Sequence, residues 1–439
     1  MLLDGLQDGS INLGPNSLLA VDELGLLGTR QGLELLRLRA QHGFSVVALG
    51  DDKQCASIES GNIITLCRRA LGAEQVPEIL TTVRQQTERE RTIAGLIREG
   101  QPAQALDMKR SDGTAEMVPG GYDQLVQRVA ALYGERLRET GKAPTISAPT
   151  NIDAHKIGVA VREERRRMGL VGPDLRVVRA TDGERYYNLT LAVGDHVRLF
   201  KSTGARLESR RGGRIGRNGS VVEVVSMDDH GIKLKSLKTD AVGTVKWSDL
   251  VQRDGRVQLA HGSALTIHTA QGLTSGEHIF ALPAGSQAIT GATGYTAMTR
   301  HRLRSYLLTS EVADRAAVRA SRPINDTREI TMDDKWAMVA KALVNQPVKD
   351  LAINMAERVQ TLKRGMVKGF QQSMHPAEQR KRQGLSPSHA PEKAQVLQMQ
   401  KALVLERVRD IAIVVMGYAQ QQAHEFGRRV IDRGLGLGR

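Results

Sequence analysis

Ser17-Leu18-Leu19-Ala20-Val21-Asp22-Glu23 and Ser45-Val46-Val47-Ala48-Leu49-Gly50-Asp51 are the stretches that decide the fold class. Each is a short, unbroken apolar run that stops abruptly at carboxylates or at a glycine followed by carboxylates. Strict alternation would mark a strand with one wet face, whereas a continuous run marks a strand buried on both faces, as in a parallel sheet. Between the two runs, residues 31–42 read as a helix with Leu33, Leu35, Leu36 and Leu38 as its apolar positions. The order strand, helix, strand is that of an α/β unit. A carboxylate at the C-terminal end of such a strand stands where α/β sheets hold ligands. Asp22 can hold Mg²⁺ there through water, and Glu23 can activate a water. Gly50 permits a tight exit from the second strand, Asp51 can cap or coordinate, and Gln54 can hydrogen-bond a phosphate or a water. Either cluster taken alone is equally well explained as a strand-to-helix turn.

Outward from these runs, residues 87–98 and 121–140 read as helices, and residues 145–149 as a third short strand leading into Thr150 and Asn151. From residue 176 to 258 the pattern changes to short β pieces separated by Gly, Asp and Asn turns, which predicts a small inserted β-barrel. The α/β pattern resumes near Ser263 and runs to about Ser310. Residues 311–439 are helix-rich, with a Pro- and Ser-bearing linker at 375–391. The expected division is therefore 1–110, 111–175, 176–258, 259–310 and 311–439.

Lys and Arg number 62 against 48 Asp and Glu, a formal charge of +14. This excess suggests a polyanionic partner, with nucleic acid ahead of an acidic membrane surface. Hydrophobic residues make up 40% of the 439 residues and aromatics 3%, so an ordinary core is possible and must rest on aliphatic side chains. The two cysteines, Cys55 and Cys67, form no disulfide framework and have no zinc-ligand spacing. A reducing cytoplasm is the expected compartment. Residues 1–10 lack a signal-peptide pattern, and no run of ~18 apolar residues is present, so no membrane insertion is expected. Residues 201–217 carry Lys201, Arg206, Arg210, Arg211, Arg214 and Arg217 against Glu208, with four glycines. They read as a flexible cationic loop, suited to a nucleic-acid backbone or simply solvated. Residues 162–167 read as a solvated, charged helix face.

Taken in order, the segments resemble the motifs of a superfamily 1 DNA helicase of the RecD-like branch. The run ending in Asp22-Glu23 resembles motif II, Gly50-Asp51 through Gln54 motif III, and residues 79–86 with Arg84 motif IV. Residues 148–151 are similar to a strand of the second motor domain. Leu265-Thr266-Ile267-His268-Thr269-Ala270-Gln271-Gly272 looks like motif V, and Gly294-Tyr295-Thr296-Ala297-Met298-Thr299-Arg300 like motif VI. The stretch from Gln271 to Arg302 is most similar to the helicase of conjugative relaxases of the TraA or MobF kind. The resemblance implies two RecA-like P-loop NTPase motor domains, the first truncated, with an inserted SH3-like β-barrel and a helical C-terminal tail. It implies ATP and Mg²⁺ as cofactors and single-stranded DNA as partner, with 5′-to-3′ translocation. By resemblance Asp22 is the metal ligand, Glu23 the group activating the hydrolytic water, and Gln54 the γ-phosphate sensor. Arg84 and Arg300 stabilise charge on the transferred phosphoryl group. Gly50, Asp51, Gln271 and Gly272 belong to the nucleotide site. Thr150, Asn151, Thr266 and His268 contact DNA, joined by Lys201, Arg210, Arg211 and Arg214 of the barrel. Thr269 departs from the pattern, because the family often has Lys there.

The sequence has no G-x-x-x-x-G-K-[ST] segment, whose backbone N–H groups cradle phosphates in such motors. The expectation is a truncated product of a relaxase-helicase that keeps DNA-binding surface and does not hydrolyse ATP by itself. Its partners would be conjugation machinery proteins or a chain supplying the missing P-loop. The alternative is a non-hydrolysing DNA-binding or conjugation accessory protein.

Overall fold

The computed structural model describes residues 2–346 except 58, 60, 73, 75, 80, 81, 183, 184, 210 and 211. The chain divides into units Met1–Ala352 and Ile353–Arg439, and the architecture below is that of the first. Arg210, Arg211 and the 375–391 linker lie outside the described residues.

The strands Leu18–Val21 and Ser45–Ala48 pair in parallel, Leu18 opposite Ser45 and Val21 opposite Ala48. The helix Thr29–His42 makes the crossover and stops at Gly43, whose φ of 78° is the left-handed cap that glycine takes without a Cβ penalty. Leu35 and Leu38 of this helix are buried with Leu6 and Phe44. Leu33 and Leu36, expected inward, are about half exposed, as are Val47 and Leu49. The strands are thus parallel as their pattern implied, but they are not buried on both faces. A two-stranded sheet with one crossover helix covers only one side of itself.

The larger sheet has five strands, all parallel, in the order Leu265–Thr266, Thr145–Ala148, Ser275–Leu282, His301–Ser310, Ala115–Val118. Both of its faces are covered by helices, giving three-layer α/β packing. Helices Tyr122–Thr140 and Asn151–Arg167 bury Leu125, Val129 and Ile157 against Ile146 and Ile279 on one face. On the other face Ile93 and Ile97 of Glu88–Arg98, and Leu106 of Pro102–Ser111, pack with Phe280, Leu307, Trp336 and Val339. Helices 88–111, which precede this sheet in the chain, therefore serve its core, and so does Met332–Val344.

Between Asn151–Arg167 and Leu265 the chain forms an antiparallel β structure. A seven-stranded sheet and the hairpin Asp174–Thr181/Tyr186–Ala192 enclose one core that includes Leu189, Leu191, Val222, Val224, Ile232 and Leu234. Two expectations are corrected here. Residues 201–217 are not a free loop: Thr203–Leu207 pairs antiparallel with Gly213–Gly216, and Leu207 and Ile215 anchor this ribbon in the core. Nor is 162–167 a solvated face. Arg162, Glu164 and Arg165 are buried. Arg162 donates from Nε and Nη2 to the two carboxylate oxygens of Asp195, at 2.7 and 3.0 Å. Arg165 donates to Tyr133 Oη at 3.1 Å and to the carbonyl of Gly194 at 3.0 Å. These contacts fasten the barrel to the helix that precedes it. Among the described residues no helix is long and apolar enough to cross a membrane.

Candidate phosphoryl site and nucleic-acid cleft

The end of the Leu18–Val21 strand faces the segments on either side of the helix Gly291–Met298. Glu23 has a left-handed backbone, φ 55° and ψ 47°, and its Oε2 accepts a hydrogen bond from Gln271 Nε2 at 2.8 Å. Gln271 is held by the short helix Ile267–Ala270, whose N-cap Thr266 accepts from the Thr269 backbone. Gly272 follows with φ 78°, a turn that suits glycine. Gln54 lies between charges. Its Nε2 donates to Asp51 Oδ2 at 3.2 Å, and its Oε1 accepts from Arg300 Nη2 at 3.1 Å. Gly50 sits in a crowded place, since a Cβ there would meet Ile64 Cδ1 at 2.9 Å and Leu24 Cβ at 3.2 Å.

Arg300 is 1% exposed, the most deeply buried cation of this cluster. Its Nε donates to the carbonyl of Thr296 at 2.7 Å, and its Nη1 is buried with no hydrogen-bond partner. Burial pushes its guanidinium down to about 10, the Arg84 charge pushes the same way, and Glu23 opposes both. It is therefore still a cation at neutral pH. A buried guanidinium with an unfilled donor has room for one more acceptor, and an anion would satisfy it. Gln271 Oε1 is likewise buried and unpartnered. Burial alone would raise the Asp51 carboxyl, but the Lys53 N–H, Arg98 and Gln54 outweigh it and hold Asp51 below its ordinary value. Asp22 is exposed, and its Oδ1 accepts from the Glu23 N–H at 2.9 Å. Among the described residues no group of three or more His, Cys, Asp or Glu could hold a metal. Mg²⁺ commonly takes one or two carboxylates together with substrate phosphates and water, so a lone Asp22 fits as a partial donor set.

Beside this cluster opens a cavity of about 310 Å³ lined by Asp51, Gln54, Arg84, Arg98, Tyr295 and Thr299 among others. Arg84 Nη1 donates to the carbonyl of Thr299 at 3.0 Å. Gln85 Nε2 reaches the carbonyls of Thr299 and His301 at 3.3 and 3.1 Å. The segment carrying Arg84 is thus tied to the start of the strand after Arg300. Arg98 falls in a stretch that continues the family pattern, but sequence reading gave it no role. It donates to Asp51 Oδ1 at 2.7 Å and approaches Tyr295 Oη at 3.4 Å.

A second cavity, of about 420 Å³, is lined by Pro149, Thr150, Asn151, Ile152, Arg185, Thr266 and His268. The four residues expected to contact DNA from the parallel sheet are brought together in it. The hydroxyls of Thr150 and Thr266 also cap the helices that begin there, accepting from Asp153 N at 3.1 Å and Thr269 N at 3.3 Å. Arg185 comes from the barrel hairpin, held by Asp182 at 2.7 Å and donating to the Asn151 carbonyl at 3.4 Å. It was missed, because nothing near it in sequence marks it. Lys201 and Arg214 lie on the barrel and do not line this cavity.

Residues 2–119 match the family profile described as an AAA domain. The conjugal transfer protein TraA of Rhizobium radiobacter is 26% identical over 293 residues, covering 66% of this chain and 24% of that protein. The probable conjugal transfer protein TraA of Sinorhizobium fredii (strain NBRC 101917 / NGR234) is 26% identical over 298 residues, covering 67% and 24%. The chain thus spans about a quarter of the length of the curated relatives it matches. Among solved structures, the Pif1 helicase from Bacteroides in complex with ADP-AlF3 and ssDNA shares 16% identity over 78% of this chain and 75% of that one, with a TM-score of 0.43. The Pif1 helicase from Candida albicans shares 15% over 69% and 76%, with a TM-score of 0.42.

Proposed function

We propose that this chain, a relative of the helicase part of TraA-type conjugal transfer proteins, supplies the acidic, coupling and strand-binding groups of an ATP-dependent DNA helicase. The observation that carries this reading is the pair of contacts across the cleft. Glu23 meets Gln271, and Gln54 meets Arg300, at 2.8 and 3.1 Å, so four candidate residues from four distant segments converge without having been chosen for proximity. ATP would supply the phosphoryl bond whose cleavage powers movement. Asp22 would hold its Mg²⁺. Glu23 would exchange its bond to Gln271 for one to water and take the proton of that water. Arg300 and Arg84 would neutralise the oxygens of the transferred group. The cavity around Asn151 and His268 would take single-stranded DNA, with translocation 5′ to 3′ by analogy with the family.

Because the sequence carries no phosphate-cradling loop of the G-x-x-x-x-G-K-[ST] form, the chain alone is proposed to bind DNA without turning over ATP. ATP hydrolysis by the purified chain, with and without single-stranded DNA and with Glu23→Gln as control, tests this. Background turnover is the expected result. DNA-stimulated turnover that disappears in the variant would overturn the inactivity and would confirm the cluster as a working site. The second cavity also suits a second reading, in which the chain is a DNA-binding or conjugation accessory protein and no part of a motor. Fluorescence anisotropy with oligo(dT) over a salt series should show log-linear weakening, about 0.7 per phosphate contact. Asn151→Ala and His268→Ala should each weaken binding severalfold. Unchanged affinity in both would remove the cavity from the DNA path.

A further inference from the structure

Asp51 and Gln54 belong to a loop carried by the two-stranded sheet, whereas Arg98 and Arg300 belong to the body built on the five-stranded sheet. Two side-chain bonds from that body grip the loop. Arg300 Nη2 holds Gln54 Oε1 at 3.1 Å, and Arg98 Nη1 holds Asp51 Oδ1 at 2.7 Å. The two grips communicate, because Asp51 Oδ2 accepts from Gln54 Nε2 at 3.2 Å. A carboxylate can only accept and a guanidinium can only donate, so the order Arg98, Asp51, Gln54, Arg300 leaves the Gln54 amide a single orientation. Arg98 also lies against Tyr295, 3.4 Å from its hydroxyl and 6.0 Å above its ring centroid, on the helix that leads to Arg300. Its own helix is anchored by Ile93 and Ile97 in the core, so the cation is presented from a rigid support.

We propose that Arg98 is a positioning residue of the phosphoryl site, which through Asp51 fixes the Gln54 amide against Arg300 and pins the Gly50–Gln54 loop to the Tyr295 helix. Cys55, buried against the same body, holds the C-terminal side of the loop; the grip at Asp51 holds its N-terminal side and so fixes Gln54 between two anchors. The inference deepens the reading of the Glu23–Arg300 cluster as a phosphoryl site. Its test uses no nucleotide, so failure of that reading and failure of this one give different results.

Cys55 provides the readout. It follows Gln54, is 2% exposed, and its N–H donates to Thr296 Oγ1 at 3.0 Å across the same seam. Burial also pushes its thiol up, which slows its reaction further. In the full chain with Cys67→Ser, the rate of Cys55 labelling by an aromatic disulfide reagent under native conditions reports opening of the seam. Arg98→Met keeps the apolar stem and removes the charge, and should speed labelling on the order of tenfold. Arg98→Lys should restore slow labelling. Asp51→Asn, which leaves the helix 88–98 untouched, should speed it as Arg98→Met does, and the double variant should be no faster than either single one. Equal rates in the parent and Arg98→Met would overturn the proposal. So would acceleration by Arg98→Met and Arg98→Lys alike, or by Arg98→Met without Asp51→Asn, because each would show loss of packing rather than of the pin.

Discussion

Glu23 and Asp240 are the two non-glycine residues among those described that hold a left-handed backbone. In an L-residue that conformation costs about 1–2 kcal/mol, and such strain gathers where a side chain must be aimed. The aim here is visible, since the turn carries the Glu23 carboxylate to Gln271. Glu23→Gly should relieve the strain at the expense of that one hydrogen bond and of some unfolded-state entropy. Urea unfolding is expected to show a variant as stable as the parent, or more stable by up to about 1 kcal/mol. A loss of more than about 1 kcal/mol would mean that the Gln271 contact, not function, maintains the conformation. Glu23 and Gln54 were legible in the sequence because each follows an apolar strand at a ligand-holding end, and Gln271 and Arg300 because each lies in a stretch that resembles a motif of the family. Arg98 lies in residues 97–100, which continue the family pattern, but its role was not legible because its partner Asp51 is 47 residues earlier. Arg185 was invisible for the same reason: its role depends on where a hairpin is docked.

At the scale of elements, the strands were read best and the charged helix worst. Continuous apolar runs gave the strands 18–21, 45–48 and 145–148 near their observed bounds, and short β pieces between turns gave the inserted antiparallel β region. The ribbon 203–216 was missed because basic residues on its outward positions hid the buried pair Leu207 and Ile215. Helix Asn151–Arg167 was misread because charge normally marks an exposed face, while Arg162 spends its charge on Asp195 in the adjoining barrel. Asp195→Ala removes the two-oxygen partner of Arg162 and leaves it the Asp174 carboxylate, to which Nη2 donates at 2.6 Å. The substitution is therefore expected to cost about 1–3 kcal/mol in denaturant unfolding. The cost exceeds that of the pair alone, because Asp195 Oδ2 also accepts from the Ala192 N–H at 2.7 Å. A change under about 1 kcal/mol would show that the barrel is held by its apolar core and not by this clamp.

Over the whole molecule the excess of basic charge fits a polyanion, yet the buried titratable groups govern how the fold responds to pH. Three histidines, His278 buried and His196 and His261 partly buried, lie in different parts of the unit. Burial, reinforced by nearby cations, pushes His196 down to about 3 and His278 to about 3, and burial pushes His261 to about 4. His278 lies in the central strand of the parallel sheet, with Thr145 Oγ1 and Ser147 Oγ at 2.7 and 2.8 Å from its ring nitrogens. All three are neutral in the fold and would protonate near 6.5 once unfolded. Because the folded values are depressed, the unfolded chain binds more protons over the interval between. The stability these groups contribute is then complete above about pH 6.5 and is lost as pH falls towards 4. Each imidazole adds a slope of up to about 1.4 kcal/mol per pH unit over that interval. His278→Gln, which can still bond both hydroxyls and cannot protonate, should remove one such slope. Its unfolding free energy should lie below or near that of the parent at pH 7 and gain on it steadily from pH 6 to pH 4.5. Parallel curves for the two proteins across that range would mean that His278 enters the acid transition already charged, and that its place between Thr145 and Ser147 tolerates an imidazolium.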